Sequence, residues 1–283
     1  MFQKKTSLSN APKLSEFMPD DASMPMQVAE VIPALKLPAL FVADLHLADT
    51  RPQAVAAFFD FLSGPARQAG CVFILGDLFE YWAGDDDTDS AFNRSVCEAL
   101  KAAASAGTVI YFMQGNRDFL AGQGFAHASG VRLLADMVSV RSETRTLLLS
   151  HGDTLCTDDH DYQAFRLQVR NREWQTEFLA QPLDVRRSLI KKAREQSEVA
   201  KSGKRTEIMD VSAEAVASLL RSHAYPTLIH GHTHRPARHT YLIDGHRCER
   251  HVLPDWRDHA VWLDFDGTEF SVRSGGEQNR KHR

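Results

Sequence analysis

The sequence has no apolar run approaching the roughly 18 residues that a membrane-spanning helix needs. Even Thr146–Ser150 and Pro226–His230 are short. Cysteine is scarce: Cys71, Cys97, Cys156 and Cys248 lie far apart and form no CxxC pair. In a chain of 283 residues that excludes a disulfide framework, and the thiols read as buried or free in a reducing compartment. An excess of positive charge is also missing, since the net charge of −4 gives no general case for nucleic-acid binding. There is no internal repeat. With 43% hydrophobic and 25% charged residues, the composition excludes collagen-like, wholly disordered and coiled-coil chains. What stands out is histidine, with 13 copies, three of them in His230-Gly-His232-Thr-His234.

Met1–Pro38 lacks periodicity and carries Pro12, Pro19, Pro25, Pro33 and Pro38. Residues 1–38 are therefore expected to be a flexible extension, or in part the product of a misplaced start codon. Lys4 and Lys5 precede no apolar stretch, so no signal peptide is expected. Residues 273–283 read as a disordered tail. Between these ends, apolar runs at Ala39–Ala43, Cys71–Leu75, Thr108–Met113, Arg145–Ser150 and Thr227–His230 predict strands. Val55, Phe58, Phe59 and Leu62 fall at helical spacing, as do Phe92, Val96, Leu100 and Ala103. A further helix is predicted over Val211–Leu220, with Asp210 or Ser212 as its N-cap. The alternation predicts an α/β fold with parallel pairing at the start. Arg238–Ile243, Cys248–Leu253, Ala260–Phe265 and Thr268–Val272 follow as antiparallel strands.

Residues 162–205 differ from their surroundings, holding eleven Lys/Arg against five Asp/Glu. Their apolar residues, among them Trp174, Phe178, Leu179, Leu189 and Ile190, recur mostly at helical intervals. This predicts a helical insertion with an apolar and a basic face, dividing a core of residues 39–161 and 206–272.

Five strand candidates end in polar clusters: Asp44-Leu-His46, Gly76-Asp77, Gly115-Asn116-Arg117-Asp118, His151-Gly-Asp153 and Gly231-His232-Thr-His234. In α/β sheets the loops at the carboxyl ends of strands converge on the binding crevice. Residues two apart in an extended chain point the same way, so Asp44 with His46, and His232 with His234, can each aim two ligands into one site. Imidazole, carboxylate and amide oxygen together suit Mn, Fe or Zn better than Ca. Any one cluster alone is a loop, a helix cap or a core histidine; five at successive strand ends point to a metal site.

These blocks, in this order, resemble the calcineurin-like metallophosphoesterases, whose pattern is DxH, GDxxD/E, GNH, GH and GHxH. The resemblance spans roughly Pro38 to Phe265 and implies an α/β/β/α sandwich, here with a helical lid insertion. Arg117 stands where most members have histidine after Asn116. That departure, with Gly76-Asp-Leu-Phe-Glu-Tyr-Trp82, Gly84-Asp-Asp-Asp87, Gly115-Asn-Arg-Asp-Phe119 and His151-Gly-Asp-Thr-Leu-Cys-Thr-Asp-Asp159, is similar to the UDP-2,3-diacylglucosamine pyrophosphatases of the Gram-negative lipid A pathway. Leu253-Pro-Asp-Trp-Arg257 matches no block.

The resemblance implies two Mn²⁺ ions, one held by Asp44, His46 and His234, the other by Asn116, His151 and His232, with Asp77 bridging. It implies water attack at an α-phosphorus, giving UMP and 2,3-diacylglucosamine 1-phosphate. Arg117 would neutralise developing charge, and Asp118 would orient it or a metal-bound histidine, or else cap the next helix. Glu80 would buttress a ligand. Substrate contacts are implied for Asn116, Arg117, Asp159, Ser197, Lys201, Lys204 and His232. Trp174, Phe178 and Leu179 would pack the lid on the core or line an acyl chamber. Arg186, Arg187, Lys191, Lys192 and Arg194 would either face anionic headgroups or form a solvated face. The expectation is a cytoplasmic enzyme peripherally associated with the inner membrane, with no nucleic acid and no obligate protein partner. The competing expectations are a phosphoesterase for a soluble nucleotide or phosphoprotein, and a non-catalytic scaffold that would be expected to have lost ligands.

Overall fold

The structure, a computed structural model, describes residues 30–202 and 210–275. Its first sheet has parallel strands β2 (Ala39–Val42), β3 (Cys71–Leu75), β4 (Val109–Met113) and β5 (Arg132–Leu134). Antiparallel β11 (Val261–Phe265) and β12 (Phe270–Ser274) extend it beyond β2. The second sheet contains β1 (Glu30–Ile32), β6 (Met137–Arg141), β7 (Thr146–Ser150), β8 (Thr227–His230), β9 (Ala237–Ile243) and β10 (His246–Val252). Its order is β1-β6-β7-β8-β10-β9.

The period of two in each strand builds the layers. Leu40, Val42, Val72, Ile74, Ile110 and Phe112 face outward onto α1 (Pro52–Ser63), α2 (Pro65–Gln68), α3 (Ala91–Ser105) and α4 (Gln123–Ser129). The alternate residues Phe41, Phe73 and Met113 face the other sheet, where Val138, Val140, Leu147, Leu149 and Ile229 meet them. Leu148 and Leu228 point away, onto α8 (Ala213–Ser222). The result is the α/β/β/α sandwich. The predicted strands are all present, within a few residues at their ends. The three-residue strands β1 and β5 and the short helices α2 and α4 carry too few residues for a period to show and were not anticipated. Nor was β6, its Met137–Arg141 interleaving apolar and polar residues rather than forming an apolar run.

Residues 30–38 correct the expected flexible extension. Glu30–Ile32 pair in parallel with Val138–Val140, Leu35 N–H donates to Arg141 O (3.0 Å), and Pro38 O accepts from Gly70 N–H (2.8 Å). A strand edge offers unpaired backbone groups, and this segment satisfies them despite its lack of pattern. The expected disordered tail is corrected too, since β12 runs to Ser274. Residues 1–29, 203–209 and 276–283 lie outside the described residues, and the remaining expectations for the two ends fall there.

The insertion consists of α5 (His160–Arg170), α6 (Arg172–Leu179) and α7 (Leu183–Ser202), between β7 and β8. Trp174, Phe178 and Ile190 pack against the core, with Trp174 stacked on Phe178 (ring centroids 4.9 Å). Leu179, Leu189, Phe165 and Leu167 stay exposed. The expected basic face is largely consumed internally. Arg186 is 1% exposed and bonds Asp86 and Ala83 O; Arg187 pairs with Asp87, and Arg194 with Glu80. Buried or half-buried guanidinium groups need such partners. Lys191 and Lys192 remain exposed. No helix among the described residues is long and apolar enough to cross a membrane.

Leu253–Arg257 has a structural role. Trp256 is buried against Phe58 and Phe61 edge-on, and its indole N–H donates to Val261 O (2.7 Å). Trp256→Ala is expected to lower stability by about 3–5 kcal/mol in urea unfolding; a loss under about 1 kcal/mol would mean that the site collapses freely around the gap.

Candidate metal centre

All five polar clusters meet at one edge of the sandwich, beyond the carboxyl ends of β2, β3, β4, β7 and β8. The turns there continue the strand pairing: Asp44 N–H donates to Gly76 O (3.1 Å), His46 N–H to Asp77 O (3.0 Å) and Leu47 N–H to Leu78 O (2.9 Å). The ligands are not on extended chain, as their spacing suggested. Asp44 (φ 55°), His46 (48°), Asp77 (53°), His232 (70°) and His234 (53°) are all left-handed. Non-glycine residues adopt this conformation rarely and at a cost of about 1–3 kcal/mol each, which the surrounding hydrogen bonds must offset.

The seven predicted ligands form two adjoining groups. In the first, His46 Nε2 lies 3.2 Å from His234 Nε2, which is 3.4 Å from Asp44 Oδ1. In the second, Asn116 Oδ1 lies 3.0 Å from His151 Nε2 and 2.9 Å from His232 Nδ1. Asp77 stands between them, Oδ2 at 3.9 Å from His46 Nε2 and Oδ1 at 3.8 Å from His151 Nε2. Glycine permits this approach: a Cβ on Gly115 would sit 2.1 Å from Asp77 Oδ1, and one on Gly231 2.4 Å from Asp44 Oδ2.

The hydrogen bonding fits a cation. His151 Nδ1–H donates to Leu75 O (2.8 Å), so a neutral ring turns its Nε2 lone pair toward the oxygens of Asn116 and Asp77. Acceptor facing acceptor is unfavourable unless a proton or a cation lies between. Asp44 Oδ1 is buried and makes no hydrogen bond, while Oδ2 accepts from His232 N–H (2.8 Å). Burial, reinforced by Asp118 and Asp44 against the opposing His151, pushes Asp77 up to about 7. Burial also raises Asp44, but the neighbouring imidazoles of His234, His151 and His46 outweigh it and hold this carboxyl below the usual range. Burial drives His46 down to about 3 and His232 to about 4, leaving neutral rings suited to coordination. Asp44, His46 and His234, and Asp44, Asp77 and His151, each bring three donor atoms within 4.8 Å of one another.

Around the donors stands a supporting layer. Glu80 Oε2 lies 3.4 Å from His46 Nδ1 without a hydrogen bond to it, and its other oxygen meets Arg194 on α7. Asp118 corrects the expectation of a catalytic role. Its buried carboxylate accepts from Leu78 N–H (2.7 Å), Gly115 N–H (2.8 Å), Phe79 N–H and Asp77 N–H (3.3 Å each). It caps no helix; it clamps the turn of Asp77 to that of Asn116. Arg117 N–H donates to Asp77 Oδ1 (2.8 Å), and its side chain lines a cavity with His46 and His234. Asp159 is 9% exposed and is the N-cap of α5, accepting from Tyr162 N–H (3.1 Å). Ser197 and Lys201 lie on α7, and Lys204 lies outside the described residues.

Other contributors were missed. The Tyr162 ring packs on His232 (centroids 5.4 Å), and its hydroxyl donates to Asp153 Oδ2 (2.9 Å), which also accepts from Arg166 Nε (2.9 Å). Arg170 bonds Gln114 and the Gly115 carbonyl (3.0 Å). These three residues counted only as part of a helical pattern, because the spacing shows a face and not what it meets. Arg51 follows the first block and nothing local marks it, yet it ties two loops together. Its guanidinium donates to Leu45 O (3.1 Å), His46 O (2.9 Å), Trp256 O (2.7 Å) and Arg257 O (3.2 Å).

The chain belongs to the calcineurin-like phosphoesterase family, whose model matches residues 37–236. Among curated proteins it is 54% identical over 229 residues to a UDP-2,3-diacylglucosamine hydrolase of Aromatoleum aromaticum, covering 81% of this chain and 93% of that one. Proteins of the same name from Cellvibrio japonicus (46% identical, 83% and 98% covered) and Escherichia coli O81 (47%, 77% and 90%) are similar to it.

Asp118→Asn replaces a multiply bonded carboxylate by a group with one acceptor oxygen. It is expected to cost on the order of 3 kcal/mol in denaturant unfolding, and to weaken metal retention on dialysis. An unchanged midpoint would remove its clamping role. A pH effect comes from His230, pushed down to about 3 by burial and by the Arg250 charge, with its Nε2 accepting from Arg250 Nη1 (3.0 Å). Unfolded, it takes up a proton near 6.5 that the native state refuses. The stability advantage of the wild type over His230→Asn should therefore be full above pH 6.5 and shrink as pH falls toward 3, which urea titrations of both proteins at several pH values would show.

Proposed function

We propose that the chain hydrolyses the pyrophosphate bond of UDP-2,3-diacylglucosamine, giving UMP and 2,3-diacylglucosamine 1-phosphate. The carrying observation is the pair of donor groups that share Asp77, with Arg117 beside them in place of histidine. The similarity to UDP-2,3-diacylglucosamine hydrolases supports the substrate.

Asp44, His46 and His234 would hold one divalent ion and Asn116, His151 and His232 a second, with Asp77 reaching both. The mixed imidazole, carboxylate and amide set suits Mn²⁺. Two such ions, when bound, supply charge neutralisation at the phosphoryl oxygens and a hydroxide near neutral pH. The residues do the rest. The Leu75 carbonyl, bonded to His151 Nδ1, directs Nε2 of that ring inward, and Glu80 stands 3.4 Å from His46 Nδ1. Water attack at the α-phosphorus breaks its bond to the bridging oxygen, so the new oxygen leaves with UMP. Arg117, always charged and able to grip two phosphate oxygens, offsets the charge that builds up there. The helices α5–α7 act as a lid: α5 is stitched to the site by Arg166 and Arg170, and α7 by Arg186, Arg187 and Arg194. Its exposed Phe165, Leu179 and Leu189 are available to acyl chains, and Ser197, Lys201 and Lys204 would contact the rest of the lipid.

The test is release of UMP from UDP-2,3-diacylglucosamine in detergent with added Mn²⁺. Asp77→Ala is expected to abolish it and Arg117→His to slow it by on the order of 10². In ¹⁸O-water the label should appear in UMP. Cleavage of a simple nucleotide ester without any release from the lipid substrate would retain the metal centre and discard the lipid reading.

A further inference from the structure

A cavity of about 590 Å³ opens at the first donor group, with His46 and His234 at its base. This is within the size range of small-molecule sites. Its lining also includes Arg117, Arg194 with its ion-pair partner Glu80, and Thr50, Asp255 and Arg257. Most of the lining residues are charged or polar, unlike the apolar side chains that the insertion presents. We propose that this cavity is the subsite for the nucleoside monophosphate half of the substrate, with the phosphate at the base and the ribose and base against Thr50, Asp255 and Arg257. The inference rests on the pyrophosphatase reading and adds where the nucleotide half, the half attacked by water, is recognised.

Three observations support it. The first is the order of charges. Arg117 and the donor group suit a phosphate, Arg194 being already paired with Glu80, whereas the Asp255 carboxylate would repel one. A carboxylate accepts hydrogen bonds from ribose hydroxyls or from an imide N–H, groups that a nucleoside carries and an acyl chain lacks. The Thr50 hydroxyl adds a donor and acceptor on the same side. The second is rigidity. Trp256 N–H donates to Asp44 O (3.0 Å), and the four carbonyl bonds of Arg51 join Leu45 and His46 to Trp256 and Arg257. The wall that carries Asp255 and Arg257 is thus built onto the turn that carries two of the metal-site residues. Recognition of a nucleoside there would set the α-phosphorus relative to the donors without a separate adjustment. The third is availability. The Arg257 side chain is 82% exposed and touches Asp255 only loosely, Nε to Oδ2 3.6 Å, so a ligand can enlist both.

The probes are UMP, ribose 5-phosphate and inorganic phosphate, titrated calorimetrically into the full chain with and without Mn²⁺. UMP is expected to bind at least about tenfold more tightly than inorganic phosphate, with ribose 5-phosphate between them. Asp255→Ala and Arg257→Ala should each reduce that preference several-fold and raise KM for the nucleotide substrate more than they lower kcat. Arg257 is exposed enough for its variant to fold. If UMP binds no better than phosphate, or if neither variant changes the ratio, the subsite is wrong even where the lipid substrate is turned over. A nucleotide preference that both variants reduce, in a protein that does not cleave the lipid substrate, would uphold the subsite and overturn the pyrophosphatase reading.

Discussion

Two carboxylates, Asp44 and Asp77, are buried at one edge of the sandwich with imidazoles and an amide oxygen around them. Such an arrangement is stable only if positive charge lies among the donors. The rest of the local architecture follows from meeting that condition. The turns adopt left-handed backbone to aim the side chains inward, glycines make room for carboxylate oxygens, and Asp118 spends its whole carboxylate on the backbone of the two turns that must stay in register. The cost of five left-handed non-glycine residues is spread over these cross-links.

The run Asp85-Asp86-Asp87 shows the same economy with charge. Three adjacent acids would repel one another in isolation, but each has its own task. Asp85 accepts from Gly122 N–H (2.9 Å) and Gly124 N–H (2.7 Å) at the start of α4 and from the Trp82 indole (3.2 Å). Asp86 takes Arg186, and Asp87 takes Arg187. The basic surplus of the insertion therefore serves in part to bind it to an acidic stretch of the core. The charge count left open a surface for anionic headgroups and a solvated face; the partners of three of the arginines turned out to lie within the chain. Charge complementarity within a fold and between molecules looks the same in composition.

The strands β2, β3, β4, β7 and β8 were legible because each is a short apolar run that stops at a polar cluster, and the clusters share one chemistry. The clusters that hold the seven candidate donors were legible for the same reason, while the choice of donors within them came from the resemblance to the calcineurin-like family. Asp118 was seen but misread, because a carboxylate that accepts four backbone N–H groups has the same neighbours in sequence as one that acts on substrate. The strand β1 was not seen: its three residues gain their hydrogen bonds from β6, more than 100 residues away, and need no pattern of their own. Arg51 left no trace either, since all its partners are carbonyls, which every residue has.

The sequence by itself determined the fold class, the core strands, the polar clusters at their ends and the helical pattern of the insertion, because periodicity and residue chemistry are local properties carried by the chain. Only the tertiary structure decided how Asp77 divides its two oxygens between two groups of candidate donors, that five of the seven sit on left-handed turns, that Arg186, Arg187 and Arg194 pair with acids of the core, and that the loop of Asp255–Arg257 borders the site. Each of these depends on contacts between residues far apart in the chain, and no spacing along the chain encodes a distance across the space between its segments.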